Sequence, residues 1–288
     1  MIIFLNGQFL EEEQAVVSVF DRGFLYGDGL FETMRIFGGR PFRWEQHLER
    51  LEHGAAVLKI RLPLSPSVLL SAVEELIARN RMPDAVLRMT ITRGVGLRGY
   101  SPRGADRPTL AMTLHPAPIG ATKPTRWRLV TANVRLPANE PLAQLKSCNK
   151  LPQILARAQA DAAGADEALL LNTDDCVVEA SSGNLFWVQN GVVCTPPLSS
   201  GILPGVARAI VLELCRNLGL PCRESQTTPQ ELPQMEGVFL SLSSMGVVEA
   251  MTLDGKPLRA SPLTETLRVA YDGMITSSSP AGGAAYGE

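Results

Sequence analysis

The chain has 288 residues, of which 45% are hydrophobic and 19% charged, and its 27 basic and 29 acidic side chains give a formal net charge of -2. This composition is typical of a globular protein with one large core or two modest ones. The balanced charge offers no basic surface for nucleic acid. No apolar run approaches the roughly 18 residues of a membrane-spanning helix, and the N-terminus, MIIFLNGQFL, carries no basic leader. We therefore expect a cytoplasmic protein that binds neither nucleic acid nor membrane.

The cysteine and histidine content limits the possible chemistry. Five cysteines form no CxxC pair, and an odd number cannot pair completely within one chain, so we expect free thiols. The three histidines, His47, His53 and His115, are accompanied by neither an HExxH nor a GxSxG motif. This argues against a zinc hydrolase, a Ser-His-Asp enzyme and a resident metal. If the protein is an enzyme, a lysine or an organic cofactor is the expected source of its chemistry.

The N-terminal part of the chain alternates strands with helices. The Asn6-Gly7 dipeptide predicts a tight turn between IIFL and QFL, and a Gly-Gly turn joins FETMRIF to PFRW in a second hairpin. After Trp44 the apolar residues recur at spacings of three and four, which predicts a helix. Ser65 and Pro66 supply the N-cap and first-turn proline of another helix. Two further strands, AVLRMTIT and TLAMTLH, complete a small α+β unit.

A segment rich in proline and glycine, PAPIGATKP, predicts a linker after this unit. We therefore expect a small α+β domain at 1–116, a linker at 117–124, a larger domain at 125–276 and a tail at 277–288. The larger domain should contain strands at WRLVTANV, EALLL, CVVEA, FWV, GVVC and VFLSL and helices at PQILARAQADAAG, after Gly205 and at LTETLRVAY. The tail has the composition of a disordered terminus, and we assign it no function.

Three charged residues, in two segments, are candidates for catalysis. Lys146 and Lys150 lie in LKSCNK, at the predicted start of a helix, where the dipole disfavours a lysine's charged form and could leave a nucleophilic amine. A solvated surface pair is the alternative. Glu179 ends an apolar strand, where it could bind a ring nitrogen or act as a catalytic carboxylate. Alternatively, Glu179 is a turn residue capped by Ser181 or Ser182.

Three segments could bind anions. In SSGILPGVARAIVLEL, glycines precede a helix whose first-turn N–H groups would face a ligand. Ser241, Ser243 and Ser244 form a small hydroxyl cluster that could bind the same anion. The loop RGVGLRGYSPRG, at 93–104, carries arginines suited to carboxylate capture. Each pattern also occurs in ordinary loops and strand ends, so none is decisive alone.

Taken in order, these segments resemble the class IV aminotransferases, the fold-type IV pyridoxal-phosphate enzymes. The resemblance rests on DRGFLYGDGLFETMR, HLERL, LKSCNKLPQILARAQA, GADEALLLN, VEASSGNLFWV, GILPGVAR and FLSLSS, which cover most of 1–250. It implies a two-domain α+β fold like that of D-amino-acid aminotransferases, with a larger, barrel-like mixed sheet in the C-terminal domain. It also implies pyridoxal 5′-phosphate as cofactor, an amino substrate with a carboxylate, and a homodimer with active sites near the interface.

The resemblance further implies a role for each matching residue. Lys146 would carry the cofactor covalently and shuttle protons, and Glu179 would bond the pyridine nitrogen. Lys150 would then be structural. The residues implied to hold the cofactor phosphate are Arg50, the backbone N–H groups of Val206 and Ala207, and Ser243 with Ser244. Many relatives have threonine where this chain has Ala207, so one side-chain contact to the phosphate is missing.

The substrate-selecting segments FETMR, RGYS and NLFW most resemble the 4-amino-4-deoxychorismate lyases, which eliminate pyruvate to give 4-aminobenzoate for folate synthesis. This implies a catalytic role for Thr33 and substrate contacts from Phe31, Arg98 and Tyr100. A D-amino-acid or branched-chain aminotransferase is the alternative, because Arg98 also falls where D-amino-acid aminotransferases place a carboxylate-binding arginine. A non-catalytic binding protein on the same fold is a third possibility, which the set Lys146, Glu179 and Arg50 disfavours.

Overall fold

The computed structural model describes residues 1–118 and 125–278, and these form two compact units. The first unit contains Met1–Pro118 and Lys146–Asn149, together with 273–278, and the second contains 125–145 and Lys150–Asp272. This grouping differs from the predicted boundaries, because the four residues from Lys146 pack with the first unit. Most of the predicted linker, 119–124, and of the predicted tail, 279–288, lies outside the described residues.

The first unit contains a six-stranded antiparallel sheet in the order β2-β1-β6-β5-β3-β4. Its strands are β1 (Ile2–Leu5), β2 (Gln8–Glu11), β3 (Gly29–Phe37), β4 (Arg40–Pro41), β5 (Ala85–Thr92) and β6 (Thr109–Pro116). The predicted first hairpin is confirmed, because Asn6 and Gly7 adopt the positive φ angles, 51° and 90°, of a tight turn. The second predicted hairpin is also present, but its returning strand is Arg40–Pro41 and does not extend through PFRW, because α2 begins at Trp44.

Three helices accompany this sheet: α1 (Arg22–Tyr26), α2 (Trp44–Leu58) and α3 (Pro66–Asn80). The two longer helices are confirmed, and Pro66 opens α3 as predicted. The Ser65 hydroxyl, however, contacts the hydroxyl of Ser67 at 3.2 Å and caps no backbone N–H. Helix α1 was not predicted. It has only five residues, which is too short for a periodic apolar pattern, and Asp21 caps it by accepting from the N–H of Gly23.

The two faces of the sheet differ in burial. One face is mostly apolar and almost fully buried, and α2 packs on it against β3. The apolar residues of β3 and β5 on this face include Leu30, Met34, Ile36, Leu87, Met89 and Ile91. Burying each such side chain stabilises the fold by about 1.5–3 kcal/mol. The opposite face carries Phe31 and Thr33 from β3, and Arg88 of β5 lies directly across from Thr33. The alternation therefore places three chemically distinctive side chains on the less buried face.

The second unit is a closed six-stranded barrel, which confirms the predicted barrel-like mixed sheet. The barrel strands are β7 (Arg126–Leu136), β8 (Glu167–Asn172), β9 (Val177–Ala180), β10 (Asn184–Gln189), β13 (Gly237–Leu242) and β14 (Gly246–Leu253). The barrel closes because β10 pairs with both β9 and β13. Strand β7 is parallel to β8 and β14, and the other barrel pairs are antiparallel. Strands β11 (Val192–Thr195), β12 (Cys222–Glu224) and β15 (Lys256–Pro257) extend the sheet.

One set of apolar side chains on the barrel strands forms a core that includes the fully buried Trp187. Helix α4 (Leu151–Ala162) packs on β7 and β8 through Ala156 and Ala160. The unit also contains α5 (Val206–Asn217) and the part of α6 (Pro262–Ser277) up to Asp272. Strand β14 was not predicted, and α6 extends beyond its predicted end. Among the described residues, no helix is both long and apolar enough to cross a membrane.

Candidate functional site

Lys146 lies in an extended segment beside β3. The N–H of Phe31 donates to the carbonyl of Lys146 at 2.9 Å, and the N–H of Cys148 donates to the carbonyl of Gly29 at 2.9 Å. Helix α4 begins only at Leu151. The prediction that Lys146 lies at a helix N-terminus is therefore wrong, since the segment pairs with a distant strand before the helix begins.

The ammonium of Lys146 contacts an aromatic ring in the same unit. Its Nζ lies 4.6 Å from the ring centroid of Phe31, and the guanidinium carbon of Arg88 lies 4.1 Å from the same centroid. Such cation–π contacts stabilise by about 0.5–2 kcal/mol, depending on desolvation. Phe31, which is 9% exposed, therefore contacts two cationic side chains, those of Lys146 and Arg88. Arg88 was not among the predicted site residues.

Thr33 lies on the same face of β3 as Phe31, two positions further along the strand. Its direct neighbour on β5 is Arg88, so the threonine hydroxyl, the Phe31 ring and the arginine share one patch of sheet. Thr33 is half-buried. This patch combines a primary amine, a hydroxyl and a guanidinium, which are groups that can move a proton and bind a carboxylate.

On the other face of β3, a buried carboxylate binds two side chains of α2. Glu32 accepts from His47 Nδ1 at 2.7 Å, from Arg50 Nε at 2.8 Å and from a terminal nitrogen of Arg50 at 2.7 Å. Glu32 and His47 are each 1% exposed. Burial raises the pKa of Glu32, but the hydrogen bonds from Arg50 and His47 outweigh it and lower that pKa to about 2. Burial lowers the pKa of His47, against the opposing effect of Glu32.

This cluster fixes the orientation of Arg50, which is the residue implied to bind a phosphate. Two of its nitrogens are held by Glu32 in a bidentate pair, so the guanidinium plane has little rotational freedom. The phosphate contact itself stays a prediction. Glu32 was missed by sequence reasoning, although an acidic residue on the apolar face of FETMRIF was a usable signal.

The two loop residues predicted to contact substrate are both exposed. Tyr100 is 88% exposed, and Arg98 is exposed beside it. They belong to the segment between β5 and β6, whose backbone is bound by the side chain of Arg22. Substrate contact by either residue stays a prediction.

In the second unit, Glu179 of β9 is held by an amide and a backbone group. Its Oε2 accepts from Asn184 Nδ2 at 3.3 Å and from the N–H of Leu203 at 3.1 Å. The same Asn184 nitrogen donates to the carbonyl of Leu203 at 2.9 Å. Asn184, which is 4% exposed, therefore links the carboxylate to the segment that precedes α5. Sequence reasoning included it only within NLFW.

The alternative interpretation of Glu179, as an acid capped by the following serines, is wrong. The hydroxyls of Ser181 and Ser182 instead donate to the fully buried carboxylate of Glu167, which also accepts from the N–H of Ala168 at 2.7 Å. Glu167 thereby anchors the turn that follows Glu179. Sequence reasoning missed Glu167, because one acidic residue at the start of a strand gives no pattern.

The N-terminus of α5 is suited to an anion. Gly205 occupies the N-cap position without a side-chain cap, so no such cap covers the first-turn N–H groups of Val206 and Ala207. Ser241 lies opposite Asn184 in the strand register, and its buried hydroxyl has no hydrogen-bond partner among the described residues. A buried hydroxyl without a partner is costly, which points to a polar ligand.

Ser243 and Ser244 are half-buried in the turn between β13 and β14, directly after Leu242. The second unit therefore contains a carboxylate that could bind a basic ring nitrogen and donors that could bind an anionic group. These features fit a phosphorylated heterocycle. In the described parts of the chain, no group of three or more His, Cys, Asp or Glu side chains could hold a metal ion.

The sequence and the structure of this chain are similar to those of several known enzymes. The family model for class IV amino-transferases matches residues 29–251. A protein of Methanocaldococcus jannaschii, assigned provisionally as a branched-chain-amino-acid aminotransferase, is 38% identical over 89% of both chains. The solved 4-amino-4-deoxychorismate lyase of Pseudomonas aeruginosa is 34% identical, with a TM-score of 0.82 over 93% of this chain and 97% of that one. The T.th. branched-chain amino acid aminotransferase, solved with pyridoxamine 5′-phosphate, is 29% identical, with a TM-score of 0.88 over 97% of this chain and 95% of that one.

Proposed function

The chain belongs to the class IV aminotransferase family, and we propose that within this family it is a 4-amino-4-deoxychorismate lyase. It is a fold-type IV enzyme that depends on pyridoxal phosphate. As a lyase it would convert 4-amino-4-deoxychorismate to 4-aminobenzoate and pyruvate. The proposal is carried by Thr33, a hydroxyl on the strand face where the Phe31 ring contacts the amine of Lys146.

We assign the cofactor contacts from the resemblance and the local geometry together. Lys146 would bind the cofactor covalently, and Glu179 would hold the proton on its pyridine nitrogen. The phosphate would be held by Arg50, by the N–H groups of Val206 and Ala207, and by Ser243 with Ser244. When bound, pyridoxal phosphate supplies an electron sink for the amine-bearing carbon of the substrate. The local order of Arg50, Glu179 and the uncapped α5 N-terminus supports these assignments.

The reaction then requires two proton movements. The ε-amine of Lys146 would take the proton from the amine-bearing ring carbon, after which the ring C–O bond to the enolpyruvyl group breaks and the ring becomes aromatic. The leaving group gains a proton and becomes pyruvate, so all atoms of the substrate appear in the two products. The Thr33 hydroxyl would assist this proton delivery. The carboxylates of the substrate would be met by Arg98 and also by Arg88, with Phe31 and Tyr100 lining the ring.

An aminotransferase acting on D-amino or branched-chain amino acids is the second candidate. It is favoured by the 38% identity to the Methanocaldococcus jannaschii protein and by the TM-score of 0.88 to the T.th. enzyme. Such an enzyme would use Lys146 for the same proton removal, but would release a keto acid in place of pyruvate and an aromatic amine. The two functions differ in which bond the pocket aligns for cleavage.

We also propose a homodimer with the active sites near the interface. Two segments that meet at the bridge between Asp21 and Val95 carry exposed large apolar side chains. These are Val16, Val17, Val19, Phe20, Phe24, Leu25, Val95 and Leu97. A grouping of this kind is uncommon on monomeric surfaces and is typical of an interface. Because Arg98 lies in the same segment, a neighbouring subunit would lie close to the substrate-selecting loop.

Two assays on the purified holoenzyme test the function. The lyase should release 4-aminobenzoate from 4-amino-4-deoxychorismate and give little pyruvate from D-alanine with 2-oxoglutarate, or keto acid from branched-chain amino acids. Robust transamination without 4-aminobenzoate would reject the lyase in favour of the second candidate. A protein that gains no visible absorbance with pyridoxal phosphate would instead support a non-catalytic relative.

A further inference from the structure

Arg22 of α1 binds three successive carbonyl groups of one loop. One terminal nitrogen donates to the carbonyls of Gly99 at 2.8 Å and Ser101 at 3.2 Å, and the other donates to the carbonyl of Tyr100 at 3.1 Å. The side chain is 4% exposed. A planar guanidinium presents several donors in a fixed arrangement, so it can hold three carbonyls at once in a way that a lysine cannot.

Asp28 fixes the guanidinium in turn. Its carboxylate accepts from Arg22 Nε at 2.8 Å and from Arg93 Nε at 2.7 Å, so that one acid lies between two arginines. Burial raises the pKa of Asp28, but hydrogen bonds from Arg93 and Arg22 outweigh burial and lower it, so this carboxylate stays ionised. Arg93 points its other nitrogens to the carbonyls of Leu58 and Lys59, away from the loop held by Arg22.

Tyr26 adds a second attachment to the same loop. Its hydroxyl accepts from the N–H of Gly99 at 3.1 Å, its ring packs edge-on against Tyr100 with centroids 5.6 Å apart, and Arg22 stacks on it at 5.0 Å. Gly99 itself has a φ of 106°, which only glycine adopts readily. The loop from Arg98 to Ser101 therefore has its backbone polar groups turned towards α1.

The consequence is that the loop is ordered while its side chains stay available. With three carbonyls and one N–H engaged by α1, the side chain of Tyr100 remains 88% exposed and Arg98 is exposed beside it. A loop that was not already ordered would lose conformational entropy on binding a ligand. The contacts with α1 order this loop in advance and so reduce that cost.

We propose that Arg22 is a positioning residue that holds the loop of Arg98 to Ser101 in the conformation that recognises the substrate carboxylate. The proposal rests on the proposed function, because that function places Arg98 and Tyr100 at the substrate. Arg22 acts through the loop backbone and has no role in the proton movements. The resemblance to the family implies no role for Arg22, which lies within the matching segment DRGFLYGDG.

Matched variants of the full-length holoenzyme separate this role from general stability. Arg22→Gln removes one guanidinium from Asp28 and all three loop contacts, whereas Arg93→Gln removes the other guanidinium and leaves the loop contacts in place. For Arg22→Gln we expect KM for the amino substrate to rise about tenfold with kcat within about twofold. For Arg93→Gln both constants should stay within about twofold of the unmodified enzyme.

Limited trypsin digestion gives a readout that does not depend on the reaction. Cleavage between Arg98 and Gly99, followed by mass spectrometry, should become about tenfold faster in Arg22→Gln and stay unchanged in Arg93→Gln. Arg22→Lys keeps a cation beside Asp28 but cannot reach three carbonyls, so it should also be cleaved faster at this bond. This conservative variant serves the same purpose if Arg22→Gln folds poorly.

Several results would overturn the proposal: equal cleavage in the Arg22 and Arg93 variants, faster cleavage throughout the chain, or faster cleavage at Arg98 with unchanged KM. A failure of the proposed function looks different. In that case the unmodified enzyme would release no 4-aminobenzoate from the lyase substrate, whether or not it turned over the aminotransferase substrates, and the trypsin comparison would still decide whether Arg22 holds the loop.

Discussion

A Cβ atom on Gly205 would lie 2.0 Å from Oδ1 of Asn184. Real Cβ atoms do not approach other atoms this closely, so any side chain at the N-cap of α5 would have to displace Asn184 or the first turn of the helix. The start of α5 therefore lies directly against Asn184, the first residue of β10. The amide of Asn184 also donates to Glu179. The phosphate-binding and ring-binding groups that we propose are therefore joined through one buried amide.

Gly205→Ala should weaken cofactor binding. The added methyl group must push Asn184 away or displace the first turn of α5, and either change disturbs the N–H groups of Val206 and Ala207. We expect the dissociation constant for pyridoxal phosphate to rise at least about tenfold, which titration by visible absorbance would measure. Gly273→Ala is the control, because a Cβ atom there meets nothing within 4 Å. Equal affinities in the two variants would contradict the proposed phosphate site.

Lys146→Ala should lose both activity and covalent cofactor attachment. Borohydride reduction fixes the cofactor to an enzyme only through a lysine, so mass spectrometry should show a cofactor-bearing peptide in the unmodified enzyme and none in the variant. The activity should fall by about 10³-fold or more, since we propose this residue as nucleophile and base. Lys150→Ala, four residues away at the N-cap position of α4, should retain both properties. Fixation at Lys150 instead would reverse the assignment.

Thr33→Val should distinguish the lyase from an aminotransferase. The substitution keeps the shape and removes the hydroxyl, so 4-aminobenzoate release should fall about 10²-fold while cofactor absorbance is unchanged. Thr90→Val is the control, because Thr90 lies on the same face of the neighbouring strand, opposite Phe31. A Thr33 variant with undiminished lyase activity would remove the observation on which the proposed function depends.

Stability should fall on acidification, and Glu32 should be one cause. Its pKa is about 2 in the folded protein, against an ordinary value of 4.5, so between these values the unfolded chain binds a proton that the folded chain does not. The resulting stabilisation, about 3 kcal/mol, is complete above pH 4.5 and is lost as the pH falls towards 2. The lowered pKa of His47 acts in the same direction below its ordinary value of 6.5.

Urea unfolding of Glu32→Gln at several pH values checks this expectation. The variant should be less stable than the unmodified protein at pH 7, because Arg50 and His47 lose an ionised partner in the interior, and its decline at low pH should be shallower. Glu52 is exposed on α2, the helix that carries His47 and Arg50. Glu52→Gln should therefore leave the dependence of stability on pH unchanged. Parallel profiles for Glu32→Gln and the unmodified protein would show that Glu32 does not titrate with unfolding.

Leu97→Glu should weaken the proposed homodimer. Leu97 is 76% exposed in the described chain, and a charge placed within an apolar interface costs several kcal/mol unless it is paired. Light scattering over a concentration series should show a dimer for the unmodified enzyme and a shift towards monomer for the variant. Val269→Glu, exposed on α6, is the control. A monomer in the unmodified enzyme would reject the dimer.

Local patterns were sufficient for most of the fold. The Asn6-Gly7 turn, the apolar spacing of α2 and the alternation of β5 are each set by neighbours within a few residues, and the structure contains all three. Elements without such patterns were missed. Helix α1 is shorter than two turns, and β14 follows β13 too closely to give a separate signal.

For the candidate site, too, some features followed from the sequence and others only from the structure. The sequence by itself determined the family, and with it the cofactor, because the matching segments have a specific order and spacing. The roles of Lys146 and Glu179 stay predictions. Only the tertiary structure decided that Lys146 lies beside β3 and not at a helix end, that Glu167 and not Glu179 binds the two serines, and that Arg22 holds the loop of Arg98. Each of these relationships joins side chains from separate parts of the chain. Hydrogen-bond partners of that kind are chosen by packing, and packing has no local sequence signal.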